Sequence, residues 1–186
     1  MRIGISAGHS RRCDDWREWS RCKEVCDVAF NMLKACGHEV VAPYTATYER
    51  FESVALTNKQ SLFNRSNVDL AIELHLARNK GPAVYYWDDP DKDLSSDGSR
   101  RWAEAVARGL DFLPWEHGGA IGSGSSNRND LHFLEMVTAP AIVVEPASDD
   151  IEEQADWISS EDFVFDYALL VVKAVLAEEL RERMVA

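Results

Sequence analysis

The 186-residue sequence lacks the features that would place it in a membrane or on nucleic acid. It contains no apolar run of about 18 residues, so we expect no membrane insertion. Its N-terminal segment has no apolar stretch typical of a signal peptide, so we expect synthesis in the cytoplasm without one. Basic residues number 20 against 32 acidic ones, and the resulting charge of −12 argues against a nucleic-acid partner.

The sequence lacks the cysteine spacing of a zinc knuckle, which argues against a cysteine-based zinc site. The four cysteines all lie in the first fifth of the chain, at Cys13, Cys22, Cys26 and Cys36. Cys22 and Cys26 are one helical turn apart, whereas a zinc knuckle needs two intervening residues. Because the sequence shows no export signal, we expect reduced thiols rather than a disulfide framework.

Apolar runs bounded by glycine and proline alternate with amphipathic segments along the chain. Strands are predicted over residues 2–7, 38–42, 68–74, 83–87 and 140–145. Helices are predicted over residues 17–36, 52–66, 99–113 and 161–182, and loops over 88–98 and 116–130. This alternation predicts an α/β fold of three layers, with a mostly parallel twisted sheet of about five to six strands and helices on both faces. No internal repeat or linker interrupts it, so we expect one domain over residues 1–186.

Two histidines and a glutamate lie at the ends of predicted strands. His9 follows the first strand, His75 follows the third, and Glu145 ends the fifth. Sites in parallel sheets lie beyond the carboxyl ends of the strands, so these side chains are expected at one edge. Two imidazoles and a carboxylate are the ligand set of zinc hydrolases, which also need a second carboxylate as general base.

The predicted helix 17–36 offers two glutamates that could supply the remaining carboxylate. Glu18 falls on the apolar stripe shared with Cys22 and Val25. A carboxylate there is costly to bury unless it is paired or binds a metal. Glu24 lies about 120° from that stripe and is expected to be solvated. Glu18 is therefore the candidate, while Glu24 and a frayed, exposed first turn stay open as alternatives.

Four segments together resemble the zinc-dependent N-acetylmuramoyl-L-alanine amidases of the type 3 family. They are residues 3–9, Glu18 with residues 37–40, residues 64–76, and residues 140–145. Their order and spacing span nearly the whole chain. The chain departs from the family at Glu73, where the family usually has serine, and at Ala77 and Arg78, where it usually has an Asn-Ala pair.

The resemblance implies a catalytic amidase domain that binds Zn²⁺ through His9, Glu18 and His75. It also implies hydrolysis of the amide between N-acetylmuramic acid and L-alanine in peptidoglycan, with Glu145 as general base and acid. Asn64, His117 and His132 are candidate substrate-binding residues, although exposed or packed side chains are the favoured explanation of the two histidines. No segment resembles a separate cell-wall-binding domain.

Three alternative functions stay open. A zinc peptidase acting within the stem peptide would use the same ligands, and a catalytically silent wall-binding domain would not need Glu145. A metal-free α/β domain would use His9 and His75 only for packing. The absence of a signal peptide fits a phage or prophage endolysin that reaches the wall after release, or a cytosolic recycling enzyme. We expect a monomer whose partner is peptidoglycan.

Overall fold

The computed structural model describes residues 1–9, 16–43, 52–78, 81–92, 94–126 and 131–185, and a six-stranded sheet forms its middle layer. The strands are β1 (Arg2–Ala7), β2 (Glu39–Val41), β3 (Leu70–Leu74), β4 (Ala83–Tyr86), β5 (Asp88–Asp89), β6 (Leu94–Ser95), β7 (Ala120–Gly122) and β8 (Ala141–Glu145). The helices are α1 (Trp16–Ala35), α2 (Glu52–Arg65), α3 (Asp97–Leu110), α4 (His132–Met136), α5 (Glu152–Ser159) and α6 (Phe163–Val185).

The strand order in the main sheet is β2-β1-β3-β8-β4-β7, and β5 pairs with β6 in a separate two-stranded ribbon. Every neighbouring pair in the main sheet is parallel except β4 and β8, which are antiparallel. The carboxyl ends of β1, β3 and β8 therefore meet at one edge of the sheet. The predicted α/β fold with a mostly parallel sheet is confirmed.

Alternate residues of the central strands enter two different cores, because successive strand side chains point to opposite faces. Ile5, Ile72 and Val144 belong to the cluster beneath α1, α3 and α6. Ala71 and Val143 belong to a second cluster beneath α2 and α4. Helices thus cover both faces of the sheet, as predicted.

Several short elements differ from the sequence-based predictions. Strand β7 lies within the predicted loop 116–130, and the ribbon of β5 and β6 lies within the predicted loop 88–98. Helices α4 and α5 were not predicted. These elements are two to eight residues long, so they are too short for a hydrophobic period to show. The antiparallel direction of β4 was also not predicted, because the alternation of inward and outward side chains along a strand is the same in both directions.

None of the helices in the described ranges is long and apolar enough to cross a membrane. Cys22, Cys26 and Cys36 are free thiols, and Cys13 lies outside the described residues.

Candidate metal centre

Three side chains converge beyond the carboxyl ends of β1 and β3. His9 follows β1, His75 follows β3, and Glu18 lies in the first turn of α1. One potential ligand atom from each of them lies within 4.8 Å of the other two. The structure thus brings together the three residues that the sequence singled out as metal ligands.

The spacing of the three donor groups suits a zinc ion. Glu18 Oε1 lies 3.1 Å from His75 Nδ1, and Glu18 Oε2 lies 3.5 Å from His9 Nε2. The two imidazole rings meet edge to face, with centroids 5.0 Å apart. Ligands about 2.0–2.1 Å from a tetrahedral zinc lie about 3.3 Å from one another, and nitrogen and carboxylate oxygen are donors that zinc accepts. The residues present therefore fit zinc in both chemistry and spacing.

Glu18 is held as a buried anion. Its side chain is 3% exposed, and its Oε1 accepts a hydrogen bond of 2.9 Å from the Leu76 backbone N–H. Burial alone would raise the pKa of Glu18, but hydrogen bonds and charge from His75 and His9 lower this pKa well below its usual range. Glu24, the alternative ligand, is 49% exposed and pairs with Arg21 on the surface. The carboxylate at the centre is therefore that of Glu18.

His75 lies between two carboxylates. Its Nδ1 faces Glu18, and its Nε2 lies 3.2 Å from Glu73 Oε2. Burial alone would lower the pKa of His75, but hydrogen bonds to Glu18 and Glu73 and their negative charges raise it to about 10. Since Nε2 is engaged by Glu73, Nδ1 is the ring nitrogen left for a metal.

The approach of β1 to the His75 ring depends on a glycine. Gly8 donates a hydrogen bond of 2.7 Å to the Leu74 carbonyl. A Cβ atom on Gly8 would lie 2.1 Å from Cε1 of His75, far inside van der Waals contact. His9, the next residue, has a φ of 53°, in the left-handed region that non-glycine residues seldom adopt. The turn after β1 is therefore shaped closely around the second histidine.

A buried ion pair behind the histidines was not predicted from the sequence. The Lys59 ammonium lies 2.7 Å from Glu73 Oε1, and the Lys59 side chain is 0% exposed. Burial alone would raise the pKa of Glu73, but the Lys59 charge and the His75 hydrogen bond lower it to about 2. The available signal was Glu73 itself, since a carboxylate within an apolar buried strand requires a partner.

Glu145 is the last residue of β8 and is 2% exposed. The preceding carbonyl, of Val144, accepts hydrogen bonds from the His75 N–H at 2.9 Å and from the Tyr167 hydroxyl at 2.7 Å. Glu145 therefore directly follows the residue that fixes the backbone of His75. Glu145 thus stands at the carboxyl end of β8, at the sheet edge where His9 and His75 follow β1 and β3.

His117 lies near the edge of the sheet at which Glu145 ends β8. The following Gly118 donates a hydrogen bond of 2.8 Å to the Pro82 carbonyl, and the next residue, Ala83, pairs with Glu145 across β4 and β8. The His117 ring is engaged locally, with Nε2 2.9 Å from Asp111 Oδ1 and Nδ1 accepting from the Gly119 N–H at 3.1 Å. Its role in substrate binding stays a prediction.

Asn64 and His132 are not brought to the three converging side chains. The Asn64 amide joins α2 to the segment before β8, donating to the Met136 carbonyl at 2.9 Å and accepting from the Thr138 N–H at 2.9 Å. That segment leads into the amino end of β8, opposite to Glu145. His132 begins α4, with a side chain that is 68% exposed and lies 3.6 Å from Glu135. Substrate contact by either residue stays a prediction without a structural contact behind it.

A groove of about 560 Å³ opens beside Glu18, between the first turns of α1 and helix α5. Its lining combines charged and apolar side chains, among them Arg17, Leu76, Asp149 and Ile158. The exposed Arg17 and the buried Glu18 both line this groove, which therefore borders one of the three candidate metal ligands.

No protein-family model matches the chain, and no curated protein matches it in sequence. Solved structures match it over nearly its whole length. The catalytic domain of the CD27L endolysin targeting Clostridia Difficile is 22% identical, with a TM-score of 0.75, over 95% of this chain and 97% of that one. An N-acetylmuramoyl-L-alanine amidase from Clostridium difficile 630 is 18% identical, with a TM-score of 0.73, over 95% of both chains.

A third similar structure is the catalytic domain of CwlV, an N-acetylmuramoyl-L-alanine amidase from Bacillus (Paenibacillus) polymyxa var. colistinus. It is 15% identical, with a TM-score of 0.75, over 97% of this chain and 98% of that one. The chain therefore has the fold of N-acetylmuramoyl-L-alanine amidase catalytic domains. The family resemblance seen in four sequence segments is matched by the architecture of the whole described chain.

Proposed function

We propose that this chain is a zinc-dependent N-acetylmuramoyl-L-alanine amidase, which hydrolyses the amide between N-acetylmuramic acid and L-alanine in peptidoglycan. The observation that carries the proposal is the convergence of His9, Glu18 and His75 within 4.8 Å of one another. They converge at the sheet edge where β8 delivers Glu145, in a fold shared with amidase catalytic domains.

His9, Glu18 and His75 would hold the zinc, which when bound supplies a Lewis acid and lowers the pKa of a water. Glu145 accepts a proton from the attacking water and donates it to the nitrogen of L-alanine as the C–N bond breaks. The hydroxyl oxygen of the water stays on the carbonyl carbon, so the products are a lactyl carboxylate and a free amine. A carboxylate that is 2% exposed suits this exchange, because the surrounding chain shields it from bulk water.

Peptidoglycan is the proposed partner, and the groove beside Glu18 is the candidate site for part of it. We further propose one catalytic domain over residues 1–186 that acts as a monomer on the cell wall after release. The coverage of the similar structures supports the domain assignment, since this chain spans 95–98% of three amidase or endolysin catalytic chains.

The function is tested by digesting purified peptidoglycan sacculi with the zinc-supplemented protein and determining the masses of the soluble products by mass spectrometry. An amidase releases whole stem peptides with a free N-terminal L-alanine. A peptidase would release fragments cut within the stem, and a wall-binding domain would release nothing. Either of the last two results, obtained with protein that holds zinc, would refute the proposed activity.

Glu145→Gln is the companion variant, because it keeps the shape of the side chain and removes its ability to take a proton. We expect the rate to fall by about 10²- to 10⁴-fold while zinc stays bound. Glu39→Gln is the matched control, since Glu39 is a strand glutamate that is 62% exposed and pairs with Arg2 on the surface. Digestion of peptidoglycan by Glu145→Gln at the parent rate would refute the role of Glu145 as general base and acid.

A further inference from the structure

The Lys59 ammonium, which the proposed reaction does not use, lies behind both candidate metal-binding histidines. It is 2.7 Å from the Ala7 carbonyl, 3.2 Å from the His9 carbonyl and 2.7 Å from Glu73 Oε1. All three lysine protons are thereby accounted for within the protein. A fully buried ammonium is costly to keep away from water, so a site that satisfies it completely is a built feature of the fold.

Glu73 extends this arrangement to the second histidine. One carboxylate oxygen accepts from Lys59, and the other lies 3.2 Å from His75 Nε2. The Glu73 side chain is 5% exposed, so water does not compete strongly for either contact. Lys59 therefore contacts His9 directly, at the His9 backbone carbonyl, and acts on His75 indirectly, through Glu73.

We propose that Lys59 and Glu73 form a positioning pair that orients both imidazoles of the metal centre. Glu73 accepts the Nε2–H of His75 and so leaves Nδ1 facing Glu18 as the ligand atom. Lys59 binds the carbonyls on either side of Gly8 and so holds His9 in its left-handed conformation, at a φ of 53°. The inference rests on the proposed metal centre, although not on which amide is cut.

A purely structural ion pair would behave differently. It would anchor α2 to the sheet, and its loss would lower stability without changing the affinity of the folded protein for metal. A carboxylate that hydrogen-bonds a ligating histidine instead fixes the tautomer and orientation of the ring, and its loss typically weakens metal binding by about 10- to 100-fold. Metal affinity in folded protein therefore separates the two roles.

Glu73→Gln is the main test, because Lys59 and His75 contact different oxygens of Glu73 and glutamine replaces one of these oxygens with an NH₂ group that can only donate. We expect zinc, measured by competition with a chromophoric chelator, to bind about 10- to 100-fold more weakly. We also expect the visible absorption of the Co²⁺-substituted protein to change, because the coordination of the ion changes with the orientation of His75. Glu39→Gln is the control, since it makes the same substitution at a strand glutamate whose ion pair with Arg2 is exposed.

The double variant Lys59→Met with Glu73→Gln removes the competing donor and neutralises both buried charges. Lys59→Met also removes the donor to the Ala7 and His9 carbonyls, so zinc should still bind about 10- to 100-fold more weakly than in the parent. The double variant also covers the case in which Glu73→Gln fails to fold around an unpaired Lys59. In that case, zinc affinity in the folded double variant at least tenfold below that of the parent supports the inference, and parent-like affinity overturns it.

Parent-like zinc affinity together with an unchanged Co²⁺ spectrum in folded Glu73→Gln would overturn the positioning role and leave the metal centre intact. A parent protein that takes up no zinc would overturn the metal centre itself and this inference with it. The two failures are therefore distinguishable before any activity is measured.

Discussion

The two faces of the central sheet are built from different chemistry. Beneath α1, α3 and α6 lies a large apolar cluster, in which Ile72, Trp102 and Val171 are 0–2% exposed. Beneath α2 the sheet also buries charge, since Lys59 and Glu73 meet there close to the histidines. The apolar face therefore mainly stabilises the fold, although α1 on that face supplies Glu18, and the other face adds a buried ion pair behind the histidines.

This difference has physical consequences that can be separated. Apolar burial is non-directional and contributes roughly 25 cal/mol per Å² whatever the protonation state nearby. A buried ion pair contributes little net stability, because desolvation offsets much of the attraction between the charges. What a buried pair can do is orient its neighbours. Changes in the apolar face should thus alter unfolding, and changes near the charged pair should alter metal binding.

Truncation of Trp102 should give the largest change in stability. Trp102 is 2% exposed within the apolar cluster, so Trp102→Ala should lower the free energy of unfolding by about 3–5 kcal/mol in urea denaturation. Phe112→Ala is the control, because Phe112 is 90% exposed. A tenfold or greater loss of zinc affinity in folded Trp102→Ala would contradict the assignment of stability to one face and metal binding to the other.

The opposite result is expected from Gly8→Ala, which acts at the histidines. The added Cβ would lie 2.1 Å from Cε1 of His75, so the ring must move. We expect zinc affinity to fall by about 10- to 100-fold in an equilibrium competition assay. Gly81→Ala is the matched control, since a Cβ at Gly81 would meet nothing within 4 Å. Equal zinc affinity in both variants would show that the ring position does not matter.

The charged region should also make zinc-free stability depend on pH. The pKa of His75 is raised from 6.5 to about 10 by Glu18 and Glu73, against the effect of burial. Protonated His75 therefore contributes stability that is fully present below pH 6.5 and is lost as the pH rises towards 10. Between pH 7 and 9, zinc-free protein should lose roughly 1 kcal/mol of unfolding free energy per pH unit. His75→Gln should lack this slope, and an equal slope in that variant would refute the assignment.

The apolar face and the site edge could be predicted from the sequence because each follows a local rule. His9, His75 and Glu145 stand at strand ends, and the edge rule for parallel sheets brings such residues together. Glu18 was singled out by the 3.6-residue period of α1. These arguments need only the residues within one strand or one helix.

The charged region could not be predicted in the same way. Glu73 and Lys59 lie 14 residues apart on different elements, and no helical or strand period links them. Their pairing depends on how α2 packs on the sheet, which is a tertiary property. The same limit applies to β7, whose three residues become a strand only because β4 lies beside them.

The smallest expected effect concerns the groove beside Glu18, which borders the apolar cluster at Leu76 and Ile158 and whose lining includes neither Lys59 nor Glu73. Arg17 is exposed there, and a stem peptide carries free carboxylates that an arginine can bind. Because an exposed charge contributes only about 0.2–1 kcal/mol, Arg17→Ala should raise the KM for soluble wall fragments about twofold to fivefold and leave kcat and zinc affinity unchanged. Arg100→Ala, at an exposed arginine of α3, is the control. If both variants raised KM equally, the effect would come from overall charge, and this result would contradict binding of the peptide in the groove.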